Sequence, residues 1–197
     1  MPKDRKASPV GPETDLSALG PDEAREFLAV AIAPDPSSGI LSLSSQRAVI
    51  VRPEVIVNIQ KQLEQTIGGS SKGIMYLAGE RSAVSGLNPL QPIATDPKGE
   101  ATPDDAKRVM DTTAILGWGR TEILVFDPDA GRFVLSLMNS PIASAYGPAK
   151  KPVCHFIAGW TAGVGRMLLG KDFLCEETGC AAQGRERCEF ELRPMKS

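Results

Sequence analysis

Apolar residues recur at helical spacing in several stretches of the chain, and strand-length apolar runs lie between them. Pro21-Asp22-Glu23 puts a proline in a first turn and two carboxylates at the positive end of a helix dipole. It predicts a short helix to about residue 33 that presents Phe27, Leu28 and Ile32. The run Pro34-Asp35-Pro36-Ser37-Ser38-Gly39 ends it, and residues 40–43 and 48–51 read as short strands. Pro53 opens a helix whose Val55, Ile56, Ile59, Leu63 and Ile67 share one face, stopped by Gly68-Gly69. A second helix over 72–87 places Ile74, Leu77, Ala78, Arg81 and Val84 near helical spacing. Residues 88–101 hold Pro89, Pro92 and Pro97 and read as a long polar loop, of a length that fits a lid. Thr102-Pro103-Asp104-Asp105 is a capped start for a helix to Gly117. Residues 121–126 and 132–138 predict a hairpin around 127–131. Pro152 starts the last long helix, with Val153, Phe156, Ile157, Trp160, Val164, Met167 and Leu168 on one face and Gly170 at its end. Residues 171–177 and 187–193 close the chain as strands around a turn at 183–186. This order, without internal repeat, is α+β: a single domain over 40–193, preceded by a flexible tail with a short helix over 1–39.

Composition narrows the function classes. The formal charge of −2 argues against direct nucleic-acid binding through a dominant basic surface. No apolar run reaches the roughly 18 residues of a membrane span, and Met1-Pro2-Lys3-Asp4-Arg5-Lys6 leads into no signal core, so a soluble, cytoplasmic protein is expected. The four cysteines (Cys154, Cys175, Cys180 and Cys188) all fall within 35 residues, and residues 1–153 hold none. Clustered thiols in a reducing compartment point to metal before disulfides. Candidate ligands are Cys154, Glu176 or Glu177, Cys180 and Cys188. Zinc takes such thiolates and sometimes a carboxylate in a tetrahedron. Cys154 falls where the positive end of a helix dipole favours a thiolate. Lys150, Lys151, Arg185 and Arg187 flank the ligands and could offset the negative charge of a filled site. His155 is the only histidine, and about 100° of helical rotation separates it from Cys154, so it is not expected on the same metal. With no second histidine, a Ser–His or Cys–His catalytic pair has no base.

Five runs carry a family resemblance: Ser140-Pro141-Ile142-Ala143-Ser144-Ala145, Pro152-Val153-Cys154, Gly159-Trp160-Thr161-Ala162-Gly163, Glu177-Thr178-Gly179-Cys180-Ala181-Ala182-Gln183-Gly184 and Cys188-Glu189-Phe190. Together they resemble the 4-vinyl reductase domain, over about 138–192 closely and back to about Gln46 more loosely. That domain occurs in bacteriochlorophyll 4-vinyl reductase-type proteins and in the effector-sensing region of phenol- and xylene-responsive activators. Its fold is similar to the TRAPP-type tethering subunits and the haem-nitric-oxide-binding domains. The resemblance implies an antiparallel sheet packed with helices and a structural zinc held by Cys154, Glu177, Cys180 and Cys188. Cys175 then remains as a thiol outside the ligand set, on the same strand face as Glu177 if that stretch is extended.

The resemblance further implies a small hydrophobic or aromatic ligand between sheet and helices, and a homodimer. Trp118, Phe126, Phe133, Tyr146, Phe156 and Trp160 are the aromatic candidates for the pocket wall. Gly159, Gly163, Ala158 and Ala162 leave room for close approach of the sheet or of a partner helix. The reading is a zinc-stabilised binding or sensing module. The chain stops at Ser197, so its signal is expected to pass to a separate output protein. Two alternatives stand beside it: a tetrapyrrole reductase or its accessory carrier, and a structural adaptor like the tethering subunits. No nicotinamide, flavin or haem motif supports the enzyme.

Overall fold

The computed structural model describes residues 19–43, 46–86, 102–127 and 129–195. The expectations for the tail before residue 19 and for the 88–101 loop lie outside those residues. Helix α1 (Pro21–Ala31) starts as its Pro-Asp-Glu signal predicts and buries Phe27 and Ala31. The chain then forms a strand where the end of a helix and a turn were expected. β1 (Ile32–Asp35) pairs antiparallel with β2 (Ile40–Leu43), and β2 with β3 (Gln46–Ala48). Two features accommodate this. β1 lies at the edge of its sheet, where Pro34 costs no internal ladder bond. Asp35 accepts the Ser37 N–H at 3.0 Å and both serine hydroxyls at 2.6 Å, closing the turn. The strand expected at 48–51 ends at Ala48, and Val49, Ile50 and Val51 are exposed.

The main sheet contains β4 (Arg120–Asp127), β5 (Arg132–Met138), β6 (Phe173–Gly179) and β7 (Cys188–Pro194) in the order β4-β5-β7-β6, antiparallel throughout. Helix α6 (His155–Leu169) packs on it, and α3 (Ser71–Gly86) packs on α6. Sandwiched in this way, α6 is apolar around most of its circumference and buries nine residues, from Ile157 to Leu168. Helix α4 (Pro103–Ile115) packs near β4, and α2 (Pro53–Ile67) packs against α5 (Pro141–Tyr146). The cap read at Thr102 forms: its hydroxyl accepts the Asp105 N–H at 3.2 Å, and Asp105 accepts the Thr102 N–H at 2.8 Å.

The apolar faces read for α2 and α3 do not build the core. On α2 the buried positions are Val57 and Gln60, while Val55 and Ile59 are 47% and 54% exposed. Gln60 points inward because its side-chain amide donates to the Val153 carbonyl at 3.1 Å and to Glu64 at 3.0 Å. On α3 the inward face is Ser71, Met75, Gly79 and Ala83, and Ile74 and Leu77 face out. Gly79 lies on that inward stripe at a point of close backbone approach. A Cβ built on Gly79 would fall on the Phe156 carbonyl, and one built on Gly159 on the Tyr76 carbonyl. The small residues of α6 therefore receive a helix of the same chain, α3.

Candidate metal centre and apolar cleft

Three elements bring the cysteines and Glu177 together. Cys154 caps α6, one residue before its first turn, and its carbonyl accepts the Ala158 N–H at 2.9 Å. The α6 helix begins at His155, not at Pro152. Along β6, burial alternates, so Phe173, Cys175 and Glu177 point inward while Glu176 points to solvent. This decides between the two glutamates. A β-bulge between Glu177 and Gly179 then turns the strand so that Cys180 follows on the same side. Cys188 opens β7.

Cys154, Cys180 and Cys188 are fully buried, and Glu177 is 9% exposed. The sulfurs lie 3.9, 3.8 and 3.9 Å apart for the pairs 154–180, 154–188 and 180–188. One donor atom from each of the four residues lies within 4.8 Å of every other. A tetrahedron with metal–sulfur bonds of about 2.3 Å has sulfur–sulfur edges of about 3.8 Å, which matches this spacing. Glu177 Oε2 accepts the Cys154 N–H at 2.7 Å, while its Oε1 is buried without a partner. A bare carboxylate oxygen in that position is costly unless a cation meets it. The donor set can therefore hold a metal ion.

The protonation pattern has the same cause. Hydrogen bonds to Cys180 and Cys188, then burial, push the Cys154 thiol far above its ordinary range. The Cys180 thiol is pulled down by hydrogen bonds from Cys154 and Cys188 and takes the charge. Burial, followed by the Cys180 contact, pushes Glu177 up to about 8. Four acids in an apolar enclosure cannot all ionise without a cation, and a bound dication would displace their protons.

Two further groups support the cluster. The Ser140 hydroxyl lies 3.3 Å from Cys154 Sγ while accepting the Ala143 N–H to cap α5. The Ala181 N–H donates to Cys188 Sγ at 3.3 Å. Neither contact was read from the sequence, although Ser140-Pro141 carries the cap-then-proline signal of a helix start. Gln60 was missed as well; its signal is a polar residue between apolar neighbours on α2. Of the flanking cations, Arg187 pairs with Glu189 at 3.4 Å and Glu122 at 3.8 Å, and Arg185 lies over Gly179 beside Cys180. Lys150 and Lys151 are exposed. His155 is half-buried and outside the donor set; burial, then the Lys72 charge, lowers its pKa.

The six aromatic candidates separate. Phe126 and Phe133 line an apolar cleft between α4, α6 and the sheet, with about 370 Å³ of space, including the part continuous with solvent. They meet edge to face at 5.0 Å, and Phe133 meets Phe173 likewise at 5.5 Å. Trp118 stacks on Phe156 at 5.8 Å, away from that cleft, and Trp160 packs against the core from a half-buried position. The Tyr146 hydroxyl donates to Glu64 at 2.7 Å, and Lys61 lies over its ring at 4.6 Å, joining α5 to α2. The cleft walls missed by sequence reasoning are aliphatic: Met110, Ile123, Leu135, Val164 and Leu168 are among them.

An α+β domain with its last helix tied to a closing hairpin by three thiols and a carboxylate defines a narrow class. Residues 133–194 match the vinyl-4-reductase (4-vinyl reductase) domain, so the chain carries that domain in its C-terminal third. The phenol regulator MopR of Acinetobacter guillouiae is 31% identical over 52 residues, which are 26% of this chain and 9% of that protein. The phenol-responsive sensory domain of the transcription activator PoxR, solved with phenol, superposes with a TM-score of 0.70 at 21% identity. That match covers 88% of this chain and 89% of that one. A trafficking protein particle complex subunit 3 from Naegleria fowleri, covalently bound to palmitic acid, gives 0.50 at 12% identity over 73% of this chain and 95% of that one. At these identities the structural matches show a shared fold. Among the described residues, no helix is long and apolar enough to cross a membrane.

Proposed function

We propose that this chain is a cytoplasmic, zinc-stabilised module that binds a small hydrophobic or aromatic molecule, works as a homodimer, and passes its signal to a separate output protein. The observation that carries this reading is the placement of the cleft. Helix α6 is held at its N-terminal cap by the donor set, and its second half forms one wall of the cleft. A ligand there would press on a helix whose other end cannot move. Zinc suits three thiolates better than the hard cations do. Held by Cys154, Glu177, Cys180 and Cys188, it would supply a structural cross-link, because four protein donors complete the tetrahedron. The likeness to sensory domains of phenol regulators supports the same class of ligand.

Native mass spectrometry tests all three elements at once: one zinc per chain, a dimer, and a mass shift on adding a small aromatic. A folded, metal-free protein that takes up no apolar ligand would overturn the reading. The second copy is assigned to the outward apolar residues of α2 and α3, Val55, Ile59, Ile74 and Leu77, which are 47%, 54%, 47% and 49% exposed. Ile59→Glu should convert the dimer to a monomer by light scattering while leaving the metal content and the melting curve of the monomer fold unchanged. A dimer that persists in this variant would place the interface elsewhere.

A further inference from the structure

We infer that the cleft takes a compact hydrocarbon without a hydroxyl group, and that it discriminates against phenol in favour of toluene. This rests on the proposed ligand-binding reading and goes further, to the chemistry of the ligand. The described lining contributes side chains from α4 (Ala106, Met110), β4, β5, β7 and α6, and Thr161 is its one polar side chain. The hydroxyl of Thr161 donates to the Ile157 carbonyl at 2.8 Å, one turn back on its own helix. Its proton is therefore committed, and no donor among the described lining residues is left for a ligand oxygen. No charged residue, amide or imidazole is part of that lining.

The consequence follows from desolvation. Toluene and phenol differ by a methyl in place of a hydroxyl and fill nearly the same volume. Phenol leaves two hydrogen-bonding opportunities in water and recovers at most one here, at the lone pairs of Thr161. Burial of a hydroxyl without full compensation lowers affinity on the order of tenfold or more. The phenyl edges of Phe126 and Phe133 and the aliphatic side chains around them suit an apolar ring with no polar substituent.

The test is calorimetric titration of the full chain with toluene and with phenol. Toluene should bind at least about tenfold more tightly. Phenol binding as well as or better than toluene would overturn the inference and leave the ligand-binding reading standing; binding of neither would overturn both. Two variants localise the effect. Ala106→Leu, which fills the cleft, should abolish toluene binding at unchanged metal content, and unchanged toluene affinity in it would also overturn the inference. Thr161→Val, which removes the hydroxyl at constant shape, should leave the toluene-to-phenol ratio unaltered within about twofold. A selective loss of phenol affinity in that variant would show that Thr161 reads a hydroxyl, contrary to the inference.

Discussion

Cys188→Ser should lose its metal and most of its folded structure, whereas Cys175→Ser should keep both. The two thiols are equally enclosed, at 0% and 3% exposure, and lie on neighbouring strands of one sheet, so burial alone predicts similar costs. Their surroundings differ. Cys188 Sγ lies 3.8 and 3.9 Å from the sulfurs of Cys154 and Cys180 and accepts the Ala181 N–H. Serine at that position offers a neutral hydroxyl that does not ionise near neutral pH, so one of the four donors is lost. A structural zinc contributes on the order of 10 kcal/mol or more of folding free energy, comparable to the entire stability of a domain. Three elements then separate at once: the start of α6, the end of β6 and the start of β7. Cys175, by contrast, is outside the donor set, and its backbone N–H is held by the Tyr76 hydroxyl at 2.9 Å. Burial keeps its thiol protonated. Serine there places a hydroxyl in an apolar site, at a cost of about 1–3 kcal/mol. Metal analysis and circular-dichroism melts, each with and without chelator, read both outcomes. Full metal occupancy in Cys188→Ser, or loss of metal in Cys175→Ser, would reverse the assignment of the two thiols.

How far the site could be read from the sequence depended on the scale of the interaction. Alternation along a strand is local, so Cys175 and Glu177 could be placed on one face before the fold was known, and the exposure of Glu176 agrees with it. Capping is local too, and Thr102 behaves as its sequence predicts. Periodicity identifies a face but does not say what meets it. The apolar stripe of α2 was therefore read as core, although α5 and the Val153 carbonyl claim the side bearing Gln60. The aromatic candidates illustrate the same limit. Trp118 and Phe126 both flank the first strand of the main sheet, yet Trp118 turns onto Phe156 and Phe126 turns into the cleft. That choice is made by α4 and α6, whose approach no spacing within the sheet encodes. The cleft's aliphatic walls come from residues up to 86 positions apart in sequence, Ala106 and Leu192, and carry no motif.

Gly159→Ala and Gly73→Ala should change stability in opposite directions, although both are the same substitution within a helix. Helix propensity alone makes each favourable by roughly 1 kcal/mol. At Gly73 on α3 a new Cβ meets nothing within 4 Å, so that gain should appear as a small rise in melting temperature, about 2–4 °C. At Gly159 the new carbon would fall on the Tyr76 carbonyl, with the Tyr76 Cα 2.9 Å away. These are backbone atoms, which cannot rotate aside as a side-chain tip can. The contact is also reciprocal. Gly79 meets the Phe156 carbonyl in the same way, and four residues further along α6 a Cβ at Gly163 would lie 2.6 Å from the Glu80 carbonyl and 2.7 Å from Ala83 Cβ. Helices α3 and α6 thus touch backbone to backbone along more than one turn, and a single methyl must push them apart over the whole crossing. The expected net loss is about 3 kcal/mol or more, near the upper end for overpacking, or a fall of roughly 6–12 °C in melting temperature. Because α6 also walls the cleft, the displaced helix should weaken toluene binding in protein that remains folded and metal-loaded. A Gly159→Ala protein as stable as Gly73→Ala would mean that α3 does not approach α6 this closely.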